Sequence, residues 1–112
     1  MTLNYGGINE VYGYSPHRPP FFEGTNYQMW KKRITIYIKS QDIEVWKVIA
    51  IGPHVSRTSN GEIKRESDYN ENDWHGEQLN SKAMKILYCA LNPEDSNQIA
   101  SCESAKEMWK ML

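Results

Sequence analysis

Cysteine is scarce in this chain, with only Cys89 and Cys102 among 112 residues. Two cysteines make no disulfide framework. No apolar leader precedes them, and the first twenty residues instead hold Pro16, Pro19 and Pro20. The expectation is a reduced pair in a soluble, cytoplasmic protein, each thiol behaving as a small buried hydrophobe on a helix. No apolar run approaches the roughly 18 residues that span a bilayer, so no membrane partner is expected. Surplus charge is lacking too. Lys plus Arg number 13 and Asp plus Glu 14, leaving −1, whereas dedicated nucleic-acid binders draw affinity from excess cations at phosphates. Catalytic signatures are missing as well: there is no Walker loop, no G-x-S-x-G and no G-x-G-x-x-G. His17, His54 and His75 have no Cys or His partner at metal spacing. His75-Gly-Glu77 is not followed by the P-C-x-x-C that a zinc deaminase needs. The chain therefore reads as no enzyme, with no metal site and no cofactor.

What the chain does have is aromatic bulk. Aromatics make up 12% and include four Trp and seven Tyr, enough for a few large side chains to carry one core at this length. Charge is unevenly spread. Residues 1–58 hold seven Lys/Arg and four Asp/Glu, and residues 59–112 hold six and ten, so the halves carry +3 and −4. Such asymmetry can steer one copy of a molecule onto another.

Residues 1–20 read as a flexible extended arm, rich in Gly and Pro around Tyr5, Tyr12 and Tyr14, without helical or alternating period. Thr25 and Gln28 form a capping-box pattern opening a helix over about 26–40, with Tyr27, Trp30, Ile34, Tyr37 and Ile38 on one face. Asp42 is the expected cap of a second helix carrying Ile43, Trp46 and Ile49, which Gly52-Pro53 stops. Residues 53–72 read as a long, poorly ordered connection. A third helix is expected from Asn72 or Asp73, placing Leu79, Ala83, Ile86, Leu87, Ala90 and Leu91 together and breaking at Asn92-Pro93. Pro93 opens a short fourth helix. Ser104 and Glu107 form a further capping box before Ala105, Met108, Trp109 and Leu112. The pattern is still running at Leu112, so the domain is read as truncated. Trp30, Trp46 and Trp109 fall on apolar stripes and are expected to pack in the core; Trp74 is undecided between core and base stacking.

Four stretches, in this order, carry a resemblance. They are Pro20-Phe-Phe-Glu-Gly-Thr-Asn-Tyr-Gln-Met-Trp30, Trp46-Lys-Val-Ile-Ala-Ile-Gly52, Ser81-Lys-Ala-Met-Lys-Ile-Leu-Tyr-Cys-Ala-Leu91 and Ser104-Ala-Lys-Glu-Met-Trp109. Together they resemble the Gag polypeptide of copia-type long-terminal-repeat retrotransposons of plants over about residues 19–112. Phe22, Gly24, Tyr27 and Trp30 match the opening F-x-G-x-x-Y-x-x-W, Trp46 and Gly52 the second helix and its stop, and Trp109 the closing helix. The resemblance implies an all-α domain over 21–112, a compact bundle of four to five helices like the N-terminal domain of a retroviral capsid. It implies self-association into a virus-like particle around element RNA. No zinc knuckle and no D-[ST]-G protease motif is present, and a second capsid lobe is expected beyond Leu112. RNA packaging is accordingly expected of the parent polyprotein.

The expected core comprises Phe22, Tyr27, Trp30, Ile34, Trp46, Ile49, Leu87, Leu91 and Trp109. Lys31, Lys32, Arg33 and Lys39 are the candidate assembly or RNA contacts. The expected partners are other copies of the chain, with RNA bound only indirectly or weakly. The alternative is a domesticated Gag-like adaptor that binds another cellular protein.

Overall fold

Apolar residues recurring every three or four positions need a shared face to hide. In the computed structural model, which describes residues 18–112, five α-helices provide it. They are α1 (Tyr27–Gln41), α2 (Ile43–Ile51), α3 (Glu71–Cys89), α4 (Pro93–Gln98) and α5 (Ala105–Met111), with a single 3₁₀ turn at Glu66–Asp68. The domain is an all-α bundle. No helix among the described residues is long and apolar enough to cross a membrane. Tyr5, Tyr12, Tyr14 and most of the expected arm lie outside the described residues.

Short polar side chains set the helix ends. α1 is capped by Asn26 and not, as the sequence suggests, by Thr25: Asn26 takes the left-handed conformation (φ 51°) and its side chain accepts from the Met29 N–H. Asn tolerates that region far better than a β-branched Thr. Asp42 works on both sides of a one-residue junction. Its N–H donates to the Ile38 carbonyl at the end of α1, while its carboxylate accepts from the Glu44 N–H (2.9 Å) to open α2. Gly52, at φ 119°, ends α2 where a side chain would be strained. α3 starts earlier than Asn72, because Asn70 accepts from the Asp73 N–H (2.9 Å) and the Asp73 carboxylate accepts from the Asn70 N–H (3.0 Å). Asn92 caps α4 ahead of Pro93, and Ser104 caps α5 through the Glu107 N–H.

α2 is the hub, packing against α1, α3 and α5, while α3 also meets α5. Ile34, Ile38, Ile49, Leu87, Ile99 and Met108 are fully enclosed, each such burial being worth roughly 1.5–3 kcal/mol. Of the expected core, Trp30, Ile34, Ile49, Leu87 and Leu91 are buried. Phe22, Tyr27, Trp46 and Trp109 are half-buried and pack against it. Pro20, assigned by sequence to the arm, is fully buried too. Its carbonyl accepts from Trp30 Nε1 (2.9 Å), and the Phe22 N–H donates to the Ala90 carbonyl (2.8 Å), so residues 20–22 strap the domain.

Two further expectations are corrected. The 53–72 connection is locally folded. Arg57 and Ile63 form the one antiparallel bridge between described residues. Thr58 donates to Glu62, Gly61 to Thr58 and Lys64 to Ser56 along the backbone. Nor are both cysteines buried on helices. Cys102 is buried but precedes α5, with Sγ 3.3 Å from Met111 Sδ, and Cys89 in the last turn of α3 is exposed. At about 100° per residue, Cys89 falls outside the stripe of Ala83, Leu87 and Ala90.

Candidate interaction surface

The aromatic residues of three distant stretches meet in one ladder. Phe22 lies 5.2 Å from Trp30 and 5.9 Å from Tyr27, centroid to centroid, and Tyr27 lies 5.9 Å from Trp30. Trp30 continues to Trp109 at 6.5 Å, and Trp109 meets Trp46 edge-to-face at 5.6 Å. These separations fall in the range where offset and edge-on pairs attract beyond simple burial. The ladder surfaces at Trp46 and Trp109, and lysines cover it there. Lys31 Nζ sits 4.8 Å from the Trp109 ring and 5.5 Å from that of Tyr27, while Lys39 Nζ sits 5.2 Å from Trp46.

That arrangement divides the four candidate contact residues. Lys31 and Lys39 lie over the aromatic edge, each charge held against a ring face. Lys32 and Arg33 are exposed, and Arg33 borders a small cavity beside Met29 and Trp30. At about 100° per residue Lys31, Lys32 and Arg33 leave the helix in three directions, and Lys32 falls on the side of Lys39 two turns away, so the four cations do not converge on one basic patch.

A larger concavity lies elsewhere. A groove of about 1160 Å³ runs between the strap, the α1–α2 junction and the C-terminal half of α3. Phe21, Tyr37, Ile86 and Cys89 line it, and Arg18, Lys82 and Lys85 stand along it. Lys82 and Lys85 are exposed and make no ion pair among the described residues. Burial pushes the Tyr37 phenol above its ordinary value, and the neighbouring Cys89 adds to the rise. No local pattern marks the groove, because its walls come from segments that are individually unremarkable. Lys82 and Lys85 stand at i and i+3 on one side of α3.

At the other end of α3 the chain raises a knob. The 56–64 turn and the 3₁₀ turn carry Glu62, Glu66 and Asp68, with Glu71 in the first turn of α3, all exposed. Ile63 is 69% exposed and Trp74 46%. Trp74, undecided in the sequence, packs edge-on against Tyr69 at 5.0 Å. One carboxylate fastens this knob to the bundle. Asp73, 4% exposed, accepts from Lys64 Nζ (2.8 Å) and the Asn70 N–H and lies 3.1 Å from His54 Nε2. The Lys64 ammonium first, then the Asn70 N–H and the Ser56 hydroxyl, hold the Asp73 carboxyl well below the usual carboxylate range. Gly76 makes room for the same contact: a Cβ there would stand 2.8 Å from His54 Cβ. An interior helix glycine was the available signal of that close approach.

Among the described residues no group of three or more His, Cys, Asp or Glu side chains could hold a metal ion. The geometry offers contact surfaces: a cation-lined groove and an acidic, aromatic knob at opposite ends of one helix. Compared with protein-family models, curated proteins and solved structures, the chain matches none.

Proposed function

We propose that this chain is a structural self-association module, the N-terminal capsid lobe of a copia-type retrotransposon Gag. It would contribute contacts to a virus-like particle in the cytoplasm of a plant cell. One observation supports the reading above the others. The residues that carry the family resemblance, Phe22, Tyr27, Trp30, Trp46 and Trp109, come from three separate stretches and pack as one ladder. Motif residues that share one cluster behave as determinants of a single fold. The module works by contact, not by chemistry on a substrate. Shell proteins make weak contacts that symmetry multiplies. A single such contact falls below the roughly 1,200 Å² of stable interfaces, and RNA binding by this chain alone is weak and without sequence preference.

Sedimentation across concentration and salt tests the proposal. The chain is expected to be monomeric at micromolar concentration and to associate towards millimolar, less so as salt rises. A chain that stays strictly monomeric throughout rejects self-association and favours an adaptor that engages a different protein.

A further inference from the structure

We infer that the copies join head to tail, the acidic knob of residues 57–74 seating in the groove of the next copy. This rests on the self-association reading and names the two surfaces that would meet. Three observations carry it. First, both surfaces leave apolar groups uncovered. Ile63 and Trp74 stand out from the knob, and Phe21, at 38% exposure, and Cys89 lie open in the groove. Second, their charges match. Arg18, Lys82 and Lys85 stand along the groove. Glu62, Glu66, Asp68 and Glu71 outnumber the exposed Arg57 and Arg65 on the knob. Glu23 and Asp42 also line the groove, so its three cations against two carboxylates leave a positive balance of one, opposite in sign to the knob.

Third, the two surfaces cannot meet within one chain. Trp74 and Lys85 both lie on α3, and eleven residues at 1.5 Å each set them about 16 Å apart along its axis. A knob at one end and a socket at the other make a heterologous contact, which repeats from copy to copy and closes into rings when the rotation allows. Long-range attraction between opposite charges selects this pairing over knob-to-knob or groove-to-groove approach, both of which bring like charges together.

Charge reversal and complementation in the full chain test the inference. One variant carries Lys82→Glu and Lys85→Glu, the other Glu66→Lys and Asp68→Lys; all four side chains are exposed, so folding, checked by circular dichroism, is expected to persist. Each variant alone should lose at least tenfold in association by sedimentation, and an equal mixture of the two should recover it. Labelling of Cys89 by a maleimide should slow as wild-type concentration rises, because the seated knob covers the thiol. If wild type associates but both variants associate equally well, or the mixture recovers nothing, this interface is wrong while self-association stands. If wild type never associates, the inference and the functional reading fall together.

Discussion

The ladder side of the domain and the 53–73 connection are both well packed, yet opposite forces hold them. Around Trp30 the contacts are mostly ring on ring and ring on aliphatic chain, with polar help from the indole's bond to Pro20, the Phe22 N–H bond to Ala90 and the Lys31 ammonium at the edge. Around Asp73 the contacts are polar, with Lys64, Asn70, Ser56 and His54 turned towards one carboxylate. A region built on burial responds to lost volume and hardly to pH or salt. A region built on one carboxylate responds to its ionisation. The first makes the bundle, and the second holds the knob against it.

The largest break in this contrast should come from Trp30→Ala, at about 3–5 kcal/mol, as large-to-small changes in cores cost. Against a total of about 5–15 kcal/mol the domain could unfold. Urea denaturation reads the loss, and a value under about 1 kcal/mol would show that the ladder is decoration. Gly76→Ala comes next. Replacing a helix glycine ordinarily stabilises by about 0.5–1 kcal/mol. Here the new Cβ meets His54 Cβ, an atom too near its backbone to swing aside. A net loss of about 1–3 kcal/mol, the scale of overpacking, is expected in thermal melts. A gain would show that the connection yields freely.

Acid sharpens the contrast from the other side. The folded carboxyl of Asp73 titrates below its unfolded value of about 3.9. Its stabilisation is therefore complete above that pH and drains away as pH falls through the depressed folded value. Protection of the 56–70 amides, taken relative to their intrinsic exchange rates at each pH, should fall on acidification below about pH 4 before that of α1 does. Asp73→Asn should show the lowered protection already at neutral pH and lose the pH dependence. An equal fall in both regions would erase the distinction. The smallest effect should follow Lys31→Met, which keeps the stem and removes the ammonium over Trp109. Cation–π contacts at such partly exposed sites are worth about 0.5–1 kcal/mol. A loss several times larger would mean that charge, not burial, holds the ladder's edge.

The two regions were also unequally legible in the sequence. Trp30, Ile34 and Ile38 repeat at helical spacing, and Asp42, Gly52 and Ser104 punctuate unambiguously, so the bundle could be read from local pattern. The Asp73 contacts could not. Lys64 and His54 lie nine and nineteen positions from Asp73, and no periodicity links them. The turn formers Ser56, Thr58, Asn60 and Gly61 signal bending without saying what the bend packs on. The shift of the first cap from Thr25 to Asn26 reflects two adjacent residues that can both cap, decided by which tolerates positive φ. The groove escaped for a similar reason: Arg18, Tyr37, Lys82 and Cys89 become neighbours only when strap and helices are assembled.

The strap has a mechanical meaning. Tension entering from the residue 18 end reaches the Pro20 carbonyl first and the Phe22 N–H second, because the two fastenings to Trp30 and Ala90 lie in series along the chain. Loaded in that order the strap peels one bond at a time, the first bond passing force into α1 through the Trp30 side chain and the second into the end of α3. The same two fastenings tie the first turn of α1 to the residue just beyond α3, elements that do not follow each other in sequence. Residues 20–22 therefore act as a clamp: a pull on this side of the domain is shared between α1 and the end of α3 until the two bonds part.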